Sequence, residues 1–188
     1  MRKVLLLGLA AIIGILAIST VALADRGHGK NGKNFSARLN GWEEDPSQVT
    51  TGHGSFRLEI TSATSWKFKL RYEDMEGPVF MAHIHIGSRH ESGGVSAWLC
   101  GASAVGTPAE TTCPPGPDGE VNGTIEAADI TGPTGQGVEV GAAGFADLLR
   151  ALRKGETYTN VHTTTRAPGG EIRGQNHRGG GHGGKHGK

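Results

Sequence analysis

At 188 residues, 36% of them hydrophobic, the chain suffices for one domain with a buried core and is short for two. The formal net charge of +1 hides an uneven distribution: residues 34–176 carry 11 Lys/Arg against 17 Asp/Glu, while both flanks are basic. An acidic body argues against a nucleic-acid binder, which needs a clustered basic footprint.

Residues 1–24 have the order of a secretory signal peptide: Arg2 and Lys3, an apolar run, then Ala22-Leu23-Ala24 as a small-residue cleavage site. The run from Val4 to Ala24 approaches the ~20 residues that span a bilayer, so an uncleaved anchor is the rival reading. Ser19 and Thr20 interrupt the run and the cleavage site follows at once, which favours removal. Cleavage would leave Asp25–Lys188, with no transmembrane segment, as a secreted, periplasmic or cell-surface protein. The flanks 25–33 and 177–188 are rich in Gly, His and Lys and nearly devoid of apolar residues, so they read as disordered tails around a folded unit at 34–176.

Within that unit, period-two alternation dominates. "FSARLNG" sets Phe35, Ala37 and Leu39 on one face; "SFRLEIT" sets Phe56, Leu58 and Ile60 opposite Arg57 and Glu59; "SWKFKLRYE" sets Trp66, Phe68, Leu70 and Tyr72 opposite Lys67, Lys69 and Arg71. These read as half-buried antiparallel strands, with "TSATS" as a hairpin connection between the second and third. Further strands are expected at Val79–Ile86, Val95–Leu99, Val121–Ile125, Tyr158–Thr163 and Glu171–Gln175. One short amphipathic helix is expected at about 144–154, where Phe145, Leu148, Leu149 and Leu152 form a single stripe and Gly155 can cap the end. The fold class is all-β: an antiparallel, Greek-key-like sandwich or barrel with that one helix.

Cys100 and Cys113 are the two cysteines. In an exported chain a disulfide between them is the default, and closing so short a loop stabilises by about 3 kcal/mol. Their spacing matches no zinc knuckle.

In order along the chain, "FSARLNGWEEDP", "GHGSFRL", "GPVFMAHIHIG", "GTIEAADI" and "LLRALRKGETYTNVHTTTRAPGGEIRGQ" resemble the CHRD domain, named for chordin. The resemblance runs from about Phe35 to Gln175 and implies an extracellular β-rich module with no defined catalytic activity. The growth-factor role of chordin-like proteins does not carry over, since no partner domain accompanies this one. The cysteine-bearing insert and the basic tails lie outside the family pattern.

The candidate site rests on histidine. His83 and His85, two apart on a strand, share a face away from Ala82, Ile84 and Ile86, so they look outward or into a cleft. His162 shares its face with Tyr158 and Asn160, and pairing of the two strands would bring three imidazoles together. Three neutral imidazoles with an open fourth position suit zinc or copper. The run "MAHIHIGSRHESGG" is locally similar to the His-x-His copper ligands of Cu/Zn superoxide dismutase, but no zinc-loop ligands follow. The bland alternative is that these histidines hydrogen-bond neighbours and bind nothing. Glu171 and Arg173 complete the proposed cleft, with a surface ion pair as their ordinary reading. No catalytic residue is assigned; partners are an extracellular protein or a glycan, the latter through Trp42 and Trp98. His182 and His186 in the tail lack the preorganisation of a site.

Overall fold

The computed structural model describes residues 32–101, 112–166 and 169–179. The predicted leader, most of the cysteine loop and the last nine residues lie outside these. Nine strands form one antiparallel sheet: β1 (Asn34–Asn40), β2 (His53–Ile60), β3 (Trp66–Glu73), β4 (Val79–Ile86), β5 (Val95–Gly101), β6 (Gly119–Ile125), β7 (Thr157–Thr163), β8 (Ile172–Gln175) and β9 (His177–Arg178). Their order is β5-β4-β7-β8-β1-β2-β3-β6, with β9 pairing on β1 beyond β8.

The sheet curls into a nearly closed barrel. Its two end strands, β5 and β6, meet, and the chain just past β6 forms a bridge from Ile130 to Ala97 of β5. The Thr131 N–H donates to Ser96 O at 3.0 Å, and a disulfide joins Cys100 of β5 to Cys113, six residues ahead of β6. The expected disulfide therefore fastens the barrel seam, where an open sheet would present two unpaired edges.

The alternation predicted for β1, β2 and β3 is the observed one. Phe35, Phe56, Leu58, Trp66, Leu70 and Tyr72 are buried, while Arg38, Arg57, Lys67 and Arg71 face out. The helix α1 (Gly144–Lys154) lays Phe145, Leu148 and Leu152 into the core, and the Phe145 ring meets Trp66 edge-on at 4.8 Å. Gly155 ends it in the left-handed region at φ 79°, donating to Ala151 O and Leu152 O. A Cβ there would meet nothing within 4 Å, so the requirement is conformational alone. Gly155→Ala is expected to cost about 1 kcal/mol, read as a lower urea midpoint with an unchanged slope.

One strand departs from the half-buried pattern. All seven residues of β7 are buried, because β7 lies between β4 and β8 and loops cover its outer face as well. That covering decides the character of the histidine site.

Candidate functional site

In the β4/β7 register Met81 faces His162, His83 faces Asn160 and His85 faces Tyr158. Alternation along both strands then puts all these side chains on the outer side of the barrel wall, opposite Ala82 and Ile84 in the core. His83, His85 and His162 are brought together there, each offering one ring nitrogen, and these atoms lie within 4.8 Å of one another. The ring centroids of His83 stand 5.4 Å from His85 and 5.1 Å from His162.

Of the two placements expected, outward or in a cleft, the histidines take a covered form of the second. They are 2%, 8% and 5% exposed, because the segment 87–94 and large neighbouring side chains roof them over. Trp98 on β5 sits edge-on to His83 at 4.0 Å, and Tyr158 stacks on His85 at 4.7 Å with the ring planes nearly parallel. The Arg173 guanidinium lies 3.4 Å above the other face of that system, over the Tyr158 ring, held by Ser88 O at 2.7 Å and Glu91 O at 2.9 Å. Cation, tyrosine and histidine thus form a three-layer stack.

His85 Nδ1 lies 2.9 Å from Gly93 O. A carbonyl can only accept, so Nδ1 carries the proton and Nε2 keeps its lone pair. That Nε2, and both ring nitrogens of His83, are buried and meet no hydrogen-bond partner among the described residues. Burial pushes His83 down to about 2, with His162 and His85 adding to the effect. Burial likewise lowers His85 to about 4, partly opposed by the Gly93 contact. Both rings are therefore neutral at physiological pH, the protonation state a metal requires.

The other predicted cleft residues divide. Tyr158, Asn160 and Arg173 do surround the histidines. Glu171 does not form a surface pair with Arg173: both are buried, and their partners differ. Glu171 accepts from Thr50 Oγ1 at 2.7 Å, the Glu76 N–H at 2.8 Å and Thr163 Oγ1 at 2.5 Å. It knots together the loops after β1 and β3 and the end of β7. The reason is tertiary, since three segments distant in sequence converge on one carboxylate.

Sequence reasoning overlooked Glu44. It is 3% exposed, in the turn after β1, and burial raises its carboxyl to about 8 against the pull of Arg173. Gly170 permits this: a Cβ there would sit 2.5 Å from Glu44 Oε1 and 3.0 Å from Asn160 Nδ2. In "WEEDP" nothing distinguishes it from its less buried acidic neighbours, Glu43 and Asp45. Of the two tryptophans considered for glycans, Trp42 is 63% exposed, whereas Trp98 is half-buried against His83.

An antiparallel barrel that carries a roofed cluster of histidines on its outer wall is a β-rich module with a preformed polar site. A family model, the CHRD domain, matches residues 35–176, and the chain belongs to that family. Membership supports a role as a binding or structural module. No curated protein matches the chain, and no solved structure does.

Proposed function

We propose that this CHRD domain is a binding module whose ligand is a transition-metal ion, zinc or copper, held by His83, His85 and His162. The observation that carries the reading is the set of buried, neutral imidazole nitrogens of His83 and His85 aimed at one small volume without protein partners among the described residues. Leaving buried polar atoms unpaired costs about 1–3 kcal/mol each, a cost that coordination removes. Imidazole donors favour zinc and copper over calcium and magnesium. With bonds of about 2.0–2.1 Å, a bound ion would draw the three rings inward from their present separation. The Gly93 carbonyl supplies the outer-shell acceptor usual for a ligating histidine.

The setting proposed is extracytoplasmic, with residues 1–24 as a cleaved leader. The disulfide, and the lack among the described residues of any helix long and apolar enough to cross a membrane, are compatible with it.

The test is metal content by mass spectrometry after reconstitution, for the protein and for the His83→Ala/His85→Ala and His162→Gln variants. Near-stoichiometric zinc or copper is expected in the parent. Each variant should lose more than the ~10–100-fold in affinity that an outer-shell partner is worth. At an ion concentration about 100 times Kd, the parent should gain about 2.7 kcal/mol of stability, seen as a rise of several degrees in Tm. Copper should also quench the fluorescence of Trp98, a signal that Trp98→Phe removes. A folded parent that takes up neither metal would overturn the reading.

A further inference from the structure

The net acidity of the body conceals a second surface. The outer face of β1, β2 and β3, with β9 at its side, forms an open groove of about 1020 Å³. Its cations are Arg38, Arg57, Lys67, Lys69, Arg89 and Arg178, and its only acids among the described residues are Glu43 and Glu59. A second recess of about 430 Å³, lined by Arg150, Arg153 and Lys154 at the end of α1, shares Arg178 with the first. Together the two take eight of the 11 Lys/Arg of residues 34–176 but only two of the 17 acids. Arg178 joins them into one track.

Two features make this more than a solvated face. Arg57 stands directly across from Lys69 in the β2/β3 register, a like-charge pairing that destabilises a sheet by itself. Lys69 is relieved by Glu120 at 2.7 Å, but Arg57 is not. The side chains of Arg38, Arg57, Lys67 and Arg178 make no hydrogen bond or ion pair among the described residues. Polar side chains are also laid out in order: His177, Ser36, Arg57 and Lys69 form one row across four strands at the roughly 4.8 Å strand spacing, with Arg57 and Lys69 as its cations.

We propose that this track binds an acidic polysaccharide, a polyuronate with a carboxylate on successive sugars. The unpaired cationic groups of Arg38, Arg57, Lys67 and Arg178 along the track suit a chain of repeated carboxylates, and Ser36 and Ser55 beside them offer hydroxyls to sugar hydroxyl groups. A single-stranded nucleic acid fits less well, because the aromatic rings nearest the groove, Phe35, Phe56 and Phe68, are turned into the core and offer no stacking platform. The surface is separate from the histidine site, so the two readings stand or fall independently.

The test measures binding of polygalacturonate, neutral dextran and double-stranded DNA to the full chain by titration calorimetry. The same titrations are run on Arg38→Gln/Arg57→Gln/Arg178→Gln, with the basic tail intact, and on Arg71→Gln, a cation of β3 that does not line the groove and is paired with Glu120. A matching melting profile establishes that the triple variant is folded; if it is not, Arg57→Gln alone takes its place. The expected result is polygalacturonate binding that weakens roughly tenfold or more between about 50 and 200 mM salt. The triple variant should bind at least about tenfold more weakly, Arg57→Gln alone several-fold more weakly, Arg71→Gln within about twofold of the parent, and dextran not at all. Three results would overturn the proposal: no binding at low salt, groove variants that bind as the parent does, or tighter binding of DNA than of polyuronate.

Discussion

Glu171→Ala is expected to destabilise the domain by about 3 kcal/mol or more, among the larger effects a single substitution produces. The carboxylate is fully buried and accepts from two hydroxyls and one backbone N–H. Alanine strands all three donors, and the space it leaves is walled by Gly52, whose Cβ position would lie 2.8 Å from Glu171 Oε1. Glu171→Gln keeps one acceptor oxygen and should lose roughly half as much. Urea unfolding reads both. A loss under 1 kcal/mol for alanine would mean that water replaces the knot.

Rising pH is expected to weaken the fold through Glu44. Its carboxyl stands at about 8 when folded, above the ordinary 4.5, because burial disfavours the charged form. The neutral acid is therefore what the fold accommodates. Its contribution is complete below about pH 4.5 and is lost as pH climbs through about 8. At ~1.36 kcal/mol per pH unit, that interval corresponds to roughly 4–5 kcal/mol. The charged and titratable groups facing Glu44 are Arg173, which opposes the rise, and Asp45 and Tyr158. Glu44→Gln should flatten the decline between pH 5 and 9, measured as urea midpoints across that range. A parent whose stability is level there, or a variant that declines as steeply, would show that the carboxyl is charged in the fold.

Much of the fold was legible because its signal is local. Period-two alternation in "FRLEI" and "WKFKLRY" states which side chains must leave water, and a barrel wall is what such strands make. The α1 stripe and its Gly155 cap are likewise written in contiguous residues. The His-x-His spacing put two imidazoles on one face, and His162 joined them once β7 paired beside β4. Burial was not legible. The histidines, Arg173 and Glu171 were expected at a surface or in a cleft, and all lie under cover. The covering segments, around residues 44, 87–94 and 170, are irregular and carry no period that announces where they will lie.

Residue order alone thus determined eight of the nine strands, the helix, the disulfide partners and which donors share a face, since each depends on neighbours within a few positions, whereas β9, read as the start of a disordered tail, forms only by pairing on β1. Tertiary structure decided what surrounds them. Closing the barrel seam and folding loops over β4 and β7 took the histidines out of water, neutralised Glu44 and turned Glu171 into a three-way tie. It also gathered basic residues scattered through an acidic folded body onto one face. Solvation and long-range charge depend on which distant segments meet, and that is settled only when the whole chain has packed.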